Sequence, residues 1–221
     1  MVLHLAEHLA IPLRERNVLL TAAGYAPVFP ERGLDDPALA AARAAVELVV
    51  QGHEPFPALA VDRHWTLVTS NDAATRLLGG VTPPLLRPPV NVLRLSLHPD
   101  GLAPRIANFR EWRAHLLARL AHQIEVTADA TLVGLQRELR DYPVPDTAGS
   151  QAAAPGPDYA GVVVPLRLVT EAGVLSLFST TTVFGTPIDI TLAELALEAF
   201  YPADRATAEA LRAVARHRSP E

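Results

Sequence analysis

The stretch from Gly161 to Val183 constrains the fold more than any other part of the chain. Two runs rich in β-branched and aliphatic residues, Gly161-Val-Val-Val-Pro-Leu-Arg-Leu-Val169 and Val174-Leu-Ser-Leu-Phe-Ser-Thr-Thr-Thr-Val183, flank the turn Thr170-Glu-Ala-Gly173. Such residues fit a pleated, half-buried surface, and a short glycine-containing connection joins neighbouring antiparallel strands. A shorter hairpin is expected from Ala58-Leu-Ala-Val-Asp62, a turn at Arg63-His64, and Trp65-Thr-Leu-Val-Thr69. The chain is thereby committed to an antiparallel sheet.

Helical patterns surround these strands. Two occur at about 2–9 and 12–23, the second opened by Pro12 and stopped by Gly24. Their Leu9, Leu13, Leu19 and Leu20 need a covering surface, either the rest of the chain or a second copy. After a linker with Pro27, Pro30 and Gly33, Asp36 is expected to cap a helix from Pro37 to about Gly52. Asn71 or Ser70 caps a short helix to Leu78, Asn91 to Leu97 reads as helical, and His98-Pro-Asp-Gly101 is a turn. Phe109, Trp112, Leu116, Leu117, Leu120 and Ile124 share one face of a long helix, and another runs from Ala128 to about Arg140. Residues 143–160, with four prolines, form an excursion between elements. Thr191 is expected to cap a helix through Phe200, and Asp204 a last helix. The fold class is α+β.

Composition narrows the function. With 221 residues, 49% of them hydrophobic, the chain can build a substantial core. No apolar run approaches the roughly 18 residues of a membrane span, and no cleavable leader is evident, so no membrane association and a cytoplasmic location are expected. Zero cysteines exclude disulfides and thiol chemistry. The net charge of -5 argues against a nucleic-acid coat. In residues 1–27, Arg14 and Arg16 are balanced by Glu7 and Glu15, which leaves no phosphate-binding face.

Catalytic patterns are sparse. His4-Leu-Ala-Glu7-His8 matches the H-x-x-E-H zinc pattern, with both histidines one helical turn apart, but no third ligand is identifiable. A partly exposed structural helix explains it better, and no metal site is assigned. Asp35, Asp36, Asp62 and Asp189 stand where turns or helix caps account for them. Neither an enzyme nor a resident cofactor is expected.

Several separated blocks then acquire meaning from their order. The opening helices lead into Asp35-Asp-Pro-Ala-Leu39, Pro57-Ala-Leu-Ala-Val-Asp-Arg-His-Trp65, Asn91-Val-Leu-Arg-Leu95 and Phe184-Gly-Thr-Pro-Ile-Asp-Ile-Thr-Leu-Ala-Glu-Leu195. From about residue 12 to about 210 the series resembles the MmyB-like transcription regulators of the XRE type. In these a helix-turn-helix domain precedes a PAS-like ligand-binding domain. The resemblance implies that residues 1–27 are the last two helices of a helix-turn-helix domain, whose recognition helix is missing as written. Residues 35–217 would be the PAS-like domain, an antiparallel sheet covered by helices.

It also implies regulation through a small apolar ligand, such as a fatty acid or similar carboxylate, held in the PAS-like cavity. DNA would be bound only by the family's full-length form, and a homodimer is expected. A dimerisation module that modulates full-length regulators is the alternative, and a zinc hydrolase using His4, Glu7 and His8 a remote one. Candidate lining comprises Leu67, Leu93, Trp112, Leu116, Leu166, Leu168, Phe178 and Phe184, with Trp65 beside them. Arg94 and Arg105 are the candidate anchors, because a guanidinium among apolar residues can bind a carboxylate bidentately. Pairing with a structural carboxylate would remove either from that role. Among the hydroxyls from Ser176 to Thr182, Thr180 is a candidate ligand contact, since alternate strand residues face inward.

Overall fold

The computed structural model describes residues 1–146, 163–185 and 187–216. Two helices, α1 (Val2–His8) and α2 (Leu13–Ala22), precede a short 3-10 turn (Pro37–Leu39) that runs into α3 (Ala40–Gln51). Strands β1 (Ala58–Val61) and β2 (Leu67–Ser70) follow, then α4 (Asp72–Leu77), α5 (Val92–Leu97), the long α6 (Phe109–Thr127) and α7 (Ala130–Asp141). The chain closes with β3 (Leu166–Thr170), β4 (Gly173–Val183), α8 (Ile190–Ala193), β5 (Ala196–Pro202) and α9 (Arg205–Arg216).

Both expected hairpins form, and all strand pairs are antiparallel in the order β2-β1-β5-β4-β3. Gly173 closes the β3–β4 turn at φ +104, a conformation that suits glycine. Pro165, which has no N–H to donate to a ladder, stands just before β3. From residue 147 the expected excursion lies outside the described residues, as do Gly161, Val162 and position 217.

One expected element is corrected. Residues Thr191 to Phe200 do not form one helix: Asp189 is the cap, accepting from the Thr191 N–H at 2.9 Å, and α8 lasts four residues. Ala196–Pro202 is instead the central strand, paired with β1 on one side and β4 on the other. Pairing on both edges outweighs the helix propensity of Ala, Leu and Glu in this segment.

The sheet has two apolar faces. Against one pack α5, α6 and α7, burying Leu93, Leu97, Phe109, Trp112, Leu120, Leu132 and Leu139 against Leu166, Leu168 and Leu177. On the other, α3 places Val46 and Val50 on Ala58, Ala60, Leu195 and Leu197. Caps fix the helix starts: Asn71 accepts from the Ala74 N–H, Asn91 from those of Leu93 and Arg94, and Asp129 from that of Thr131.

The N-terminal helices dock through charge more than through apolar area. Arg14 on α2 bonds Glu31 and reaches Glu194 at 2.7 Å, and Asn17 bonds the backbone of Val28 and Phe29. Glu194 is shared with Arg63 at 3.5 Å, and Arg63 also pairs with Asp129, which His64 contacts at 3.0 Å. Burial opposes the charged form of Asp129, but hydrogen bonds from Arg63 and His64 outweigh it and hold the carboxyl below its usual range. Of the leucines needing cover, Leu20 is buried, Leu13 is half-buried, and Leu9 and Leu19 are exposed.

Candidate ligand pocket

A cavity of about 110 Å³ lies between the inner face of the sheet and the α4–α5–α6 cover. The local reasons for its walls are readable. Asp62 Oδ1 accepts the N–H groups of His64 and Thr66, each at 2.8 Å, and this tight turn holds Trp65 at φ +66. That is an uncommon conformation for a non-glycine residue, stabilised here by the Asp side chain. The Trp65 indole is thereby turned to the cavity, where its Nε1 donates to Gln123 Oε1 at 2.8 Å. Gln123 donates onward to the Arg63 carbonyl at 2.7 Å. Trp112 projects from α6 at the helical spacing that also buries Leu116, and donates to Ser96 Oγ at 2.9 Å. Both indoles line the cavity with their polar atoms satisfied.

The polar element of the pocket is an ion pair. Arg119, one turn beyond His115 on α6, donates to Glu198 Oε1 at 2.7 Å and to Thr181 Oγ1 at 3.1 Å. The Thr181 hydroxyl donates to the same Glu198 oxygen at 2.8 Å. Glu198 is 4% exposed in the central strand, and the Arg119 guanidinium lies 4.9 Å from the Trp65 ring centroid. A carboxylate buried to this degree persists only when paired and hydrogen-bonded, as Glu198 is. The positive charge in the pocket is thus already matched.

Of the expected site residues, Trp65, Trp112 and Leu116 come together at this cavity, with Leu67, Leu93 and Leu166. Arg94 does not reach it. Its Nε and Nη2 bind Glu138 at 2.8 and 2.7 Å, a structural pairing that removes it from an anchoring role, and the hydrogen bond from Arg94 holds the Glu138 carboxyl below its ordinary range. Arg105 is bound to backbone carbonyls at a different cavity. Phe178 stacks on Tyr201 at 5.4 Å on the opposite sheet face, Thr180 is exposed, and Phe184 packs against the α3 cluster.

Arg119, Glu198, Gln123 and Ser96 are polar groups that sequence reasoning missed, and among the hydroxyls from Ser176 to Thr182 it singled out Thr180 where the structure uses Ser179 and Thr181. A signal for these last two was present. Leu175 and Leu177 alternate with Ser176, so the inward parity of β4 is odd, which points Ser179 and Thr181 inward and Phe178 and Thr180 outward. Glu198 could not be found while its segment read as helix.

His115, beside Trp112, offers a pH test. Burial, reinforced by the charge of Arg119, holds its pKa below the ordinary value. The unfolded chain therefore binds this proton better. The stability contributed is complete above the unfolded value of about 6.5 and is lost as pH falls through the lower folded value. Urea midpoints are expected to fall more steeply below about pH 6.5 in the wild type than in His115→Gln. Parallel pH profiles for the two proteins would count against this coupling.

A curled antiparallel sheet roofed by helices over an apolar cavity is a PAS-like α+β domain. Residues 42–214 match the MmyB-like transcription regulator ligand binding domain, and the chain belongs to that family. Among solved structures, the PAS domain of Bordetella pertussis BvgS is similar at 14% identity, covering 80% of this chain and 96% of that one with a TM-score of 0.32. No curated protein matches the chain. Among the described residues no helix is long and apolar enough to cross a membrane, and no group of three or more His, Cys, Asp or Glu side chains could hold a metal ion. At the H-x-x-E-H segment, the His8 ring nitrogen Nδ1 lies 2.9 Å from the His4 carbonyl.

Proposed function

We propose that this domain senses a small apolar molecule in the cavity between the two indoles and thereby sets the state of a transcription regulator. The observation that carries the reading is the cavity itself, lined by Leu59, Leu93, Leu95, Trp65, Trp112 and Phe200 around a single matched ion pair. Apolar walls with a few fixed polar groups are the usual build of small-molecule sites. A fatty acid or similar carboxylate suits the lining, but its head group would meet Arg119 only by taking the place of Glu198. At about 110 Å³ the cavity is also smaller than the roughly 300–1,000 Å³ of drug-sized sites, so a long acyl chain requires the helical cover to move. DNA binding we assign to the full-length family form, since the charges of residues 1–27 sum to no positive face.

Native mass spectrometry before and after denaturing extraction tests the proposal and counts subunits together. An extractable apolar mass is expected, as is a thermal shift when that compound is added back, because a native-state ligand stabilises by mass action. Ser179→Leu, which fills the cavity from β4, should abolish the shift while leaving the fold intact. An unliganded protein that no apolar compound stabilises would overturn the reading. Exposed Leu5 on α1, Leu9 just after it and Val18 on α2 favour a second role, homodimerisation through these helices, which the same spectrum reports as a doubled mass.

A further inference from the structure

A second cavity, of about 850 Å³, lies between α4, the β3–β4 turn and α9, and it shares no lining residue with the indole pocket. Its walls are largely aliphatic, formed by Leu77, Val169, Leu175, Leu211 and Val214. Arg105 borders it. Arg105 Nε donates to the Val169 carbonyl at 3.2 Å, and Nη1 donates to the carbonyls of Leu77, at 3.1 Å, and Gly79. These bonds have a structural part. They satisfy carbonyls at the end of α4, which lack partners within the helix, and tie that end to β3.

They do not use the guanidinium fully. All three acceptors are neutral, and no carboxylate among the described residues pairs with this guanidinium, whereas Arg94 and Arg119 each meet one. Nη2 of Arg105 makes no hydrogen bond among the described residues, and Arg105 lines the cavity. Of the other charged groups there, Arg76 is engaged by Glu54 at 3.1 Å, and Glu171 makes no ion pair with Arg105. Burial also pulls the Arg105 guanidinium below its ordinary value, so a nearby anion would stabilise it.

We propose that this groove is a second ligand site, for an amphipathic anion that places one oxyanion group on the Arg105 guanidinium and its apolar body over Leu175, Leu211 and Val214. Size and charge favour it over the indole pocket for such a molecule. The groove falls within the roughly 300–1,000 Å³ of small-molecule sites, and its arginine has no carboxylate partner among the described residues.

Calorimetric titration of the full chain with decanoate, with decanol as the uncharged control, tests the site while tryptophan emission is recorded. Decanoate is expected to bind at least about tenfold more tightly than decanol, the effect of one charge-assisted hydrogen bond. Emission should stay unchanged, since Trp65 and Trp112 line the other cavity. Arg105→Gln should cost about tenfold in affinity. Val214→Glu, at a residue of α9 that is 43% exposed, should do the same without touching the carbonyl bonds of Arg105. Absence of binding would overturn the proposal, as would equal affinity for wild type and Val214→Glu. Binding that shifts tryptophan emission and is abolished by Ser179→Leu would also overturn it, while supporting the indole pocket instead.

Discussion

Asn71→Leu is expected to lower the unfolding free energy by about 3–5 kcal/mol. Asn71 is 0% exposed and joins three elements. Its Oδ1 accepts the N–H groups of Ala58 on β1 and Ala74 on α4, both at 3.0 Å, while Nδ2 donates to the carbonyls of Phe56 at 2.7 Å and Val50 at 3.3 Å. Leucine fills similar space but strands those groups without water. Each buried unsatisfied group costs about 1–3 kcal/mol, and the helix also loses its cap. Urea denaturation followed by circular dichroism measures the difference. A loss below about 1 kcal/mol would mean that water replaces the side chain's partners.

Arg119→Met carries the second large effect, about 3 kcal/mol, because it leaves Glu198 charged and unpaired in the middle of the sheet. The cost belongs to the orphaned carboxylate rather than to the lost attraction. Adding Glu198→Leu to Arg119→Met should therefore restore most of the stability, since apolar replacement of both partners of a buried pair is often neutral. A double variant as unstable as the single one would show that packing of the Arg119 stem over Trp65 matters more than charge. Ligand retention in the double variant would separate stability from recognition.

The strong local signals in the sequence were enough to lay out the hairpins, the capped helices and the α+β class. Alternating runs around Thr170–Gly173 and caps at Asp36, Asn71 and Asp204 are chemistry that the backbone itself reads. β5 was hidden because a central strand is covered on both faces. Leu197 faces α3 while Glu198 and Phe200 face the pocket, so the polar–apolar alternation that marks a half-buried strand is scrambled. The pocket was half legible. Aromatic and leucine lining followed from helical spacing, whereas the anchors depended on tertiary pairing. Arg94 and Arg119 are both arginines near apolar residues, and only the positions of Glu138 and Glu198 separate a surface clasp from a pocket charge.

Glu194 lies in the connection between the two strands that carry Thr181 and Glu198, and it is gripped by Arg14 of α2 and Arg63 of the β1–β2 turn. The leading helices are accordingly fastened to the sheet side of the pocket. A movement confined to α5 leaves this anchorage untouched. A movement that tilts the β4–β5 connection takes Glu194 with it, and swings α2 as a lever pivoted at Asn17 and its bonds to Val28 and Phe29.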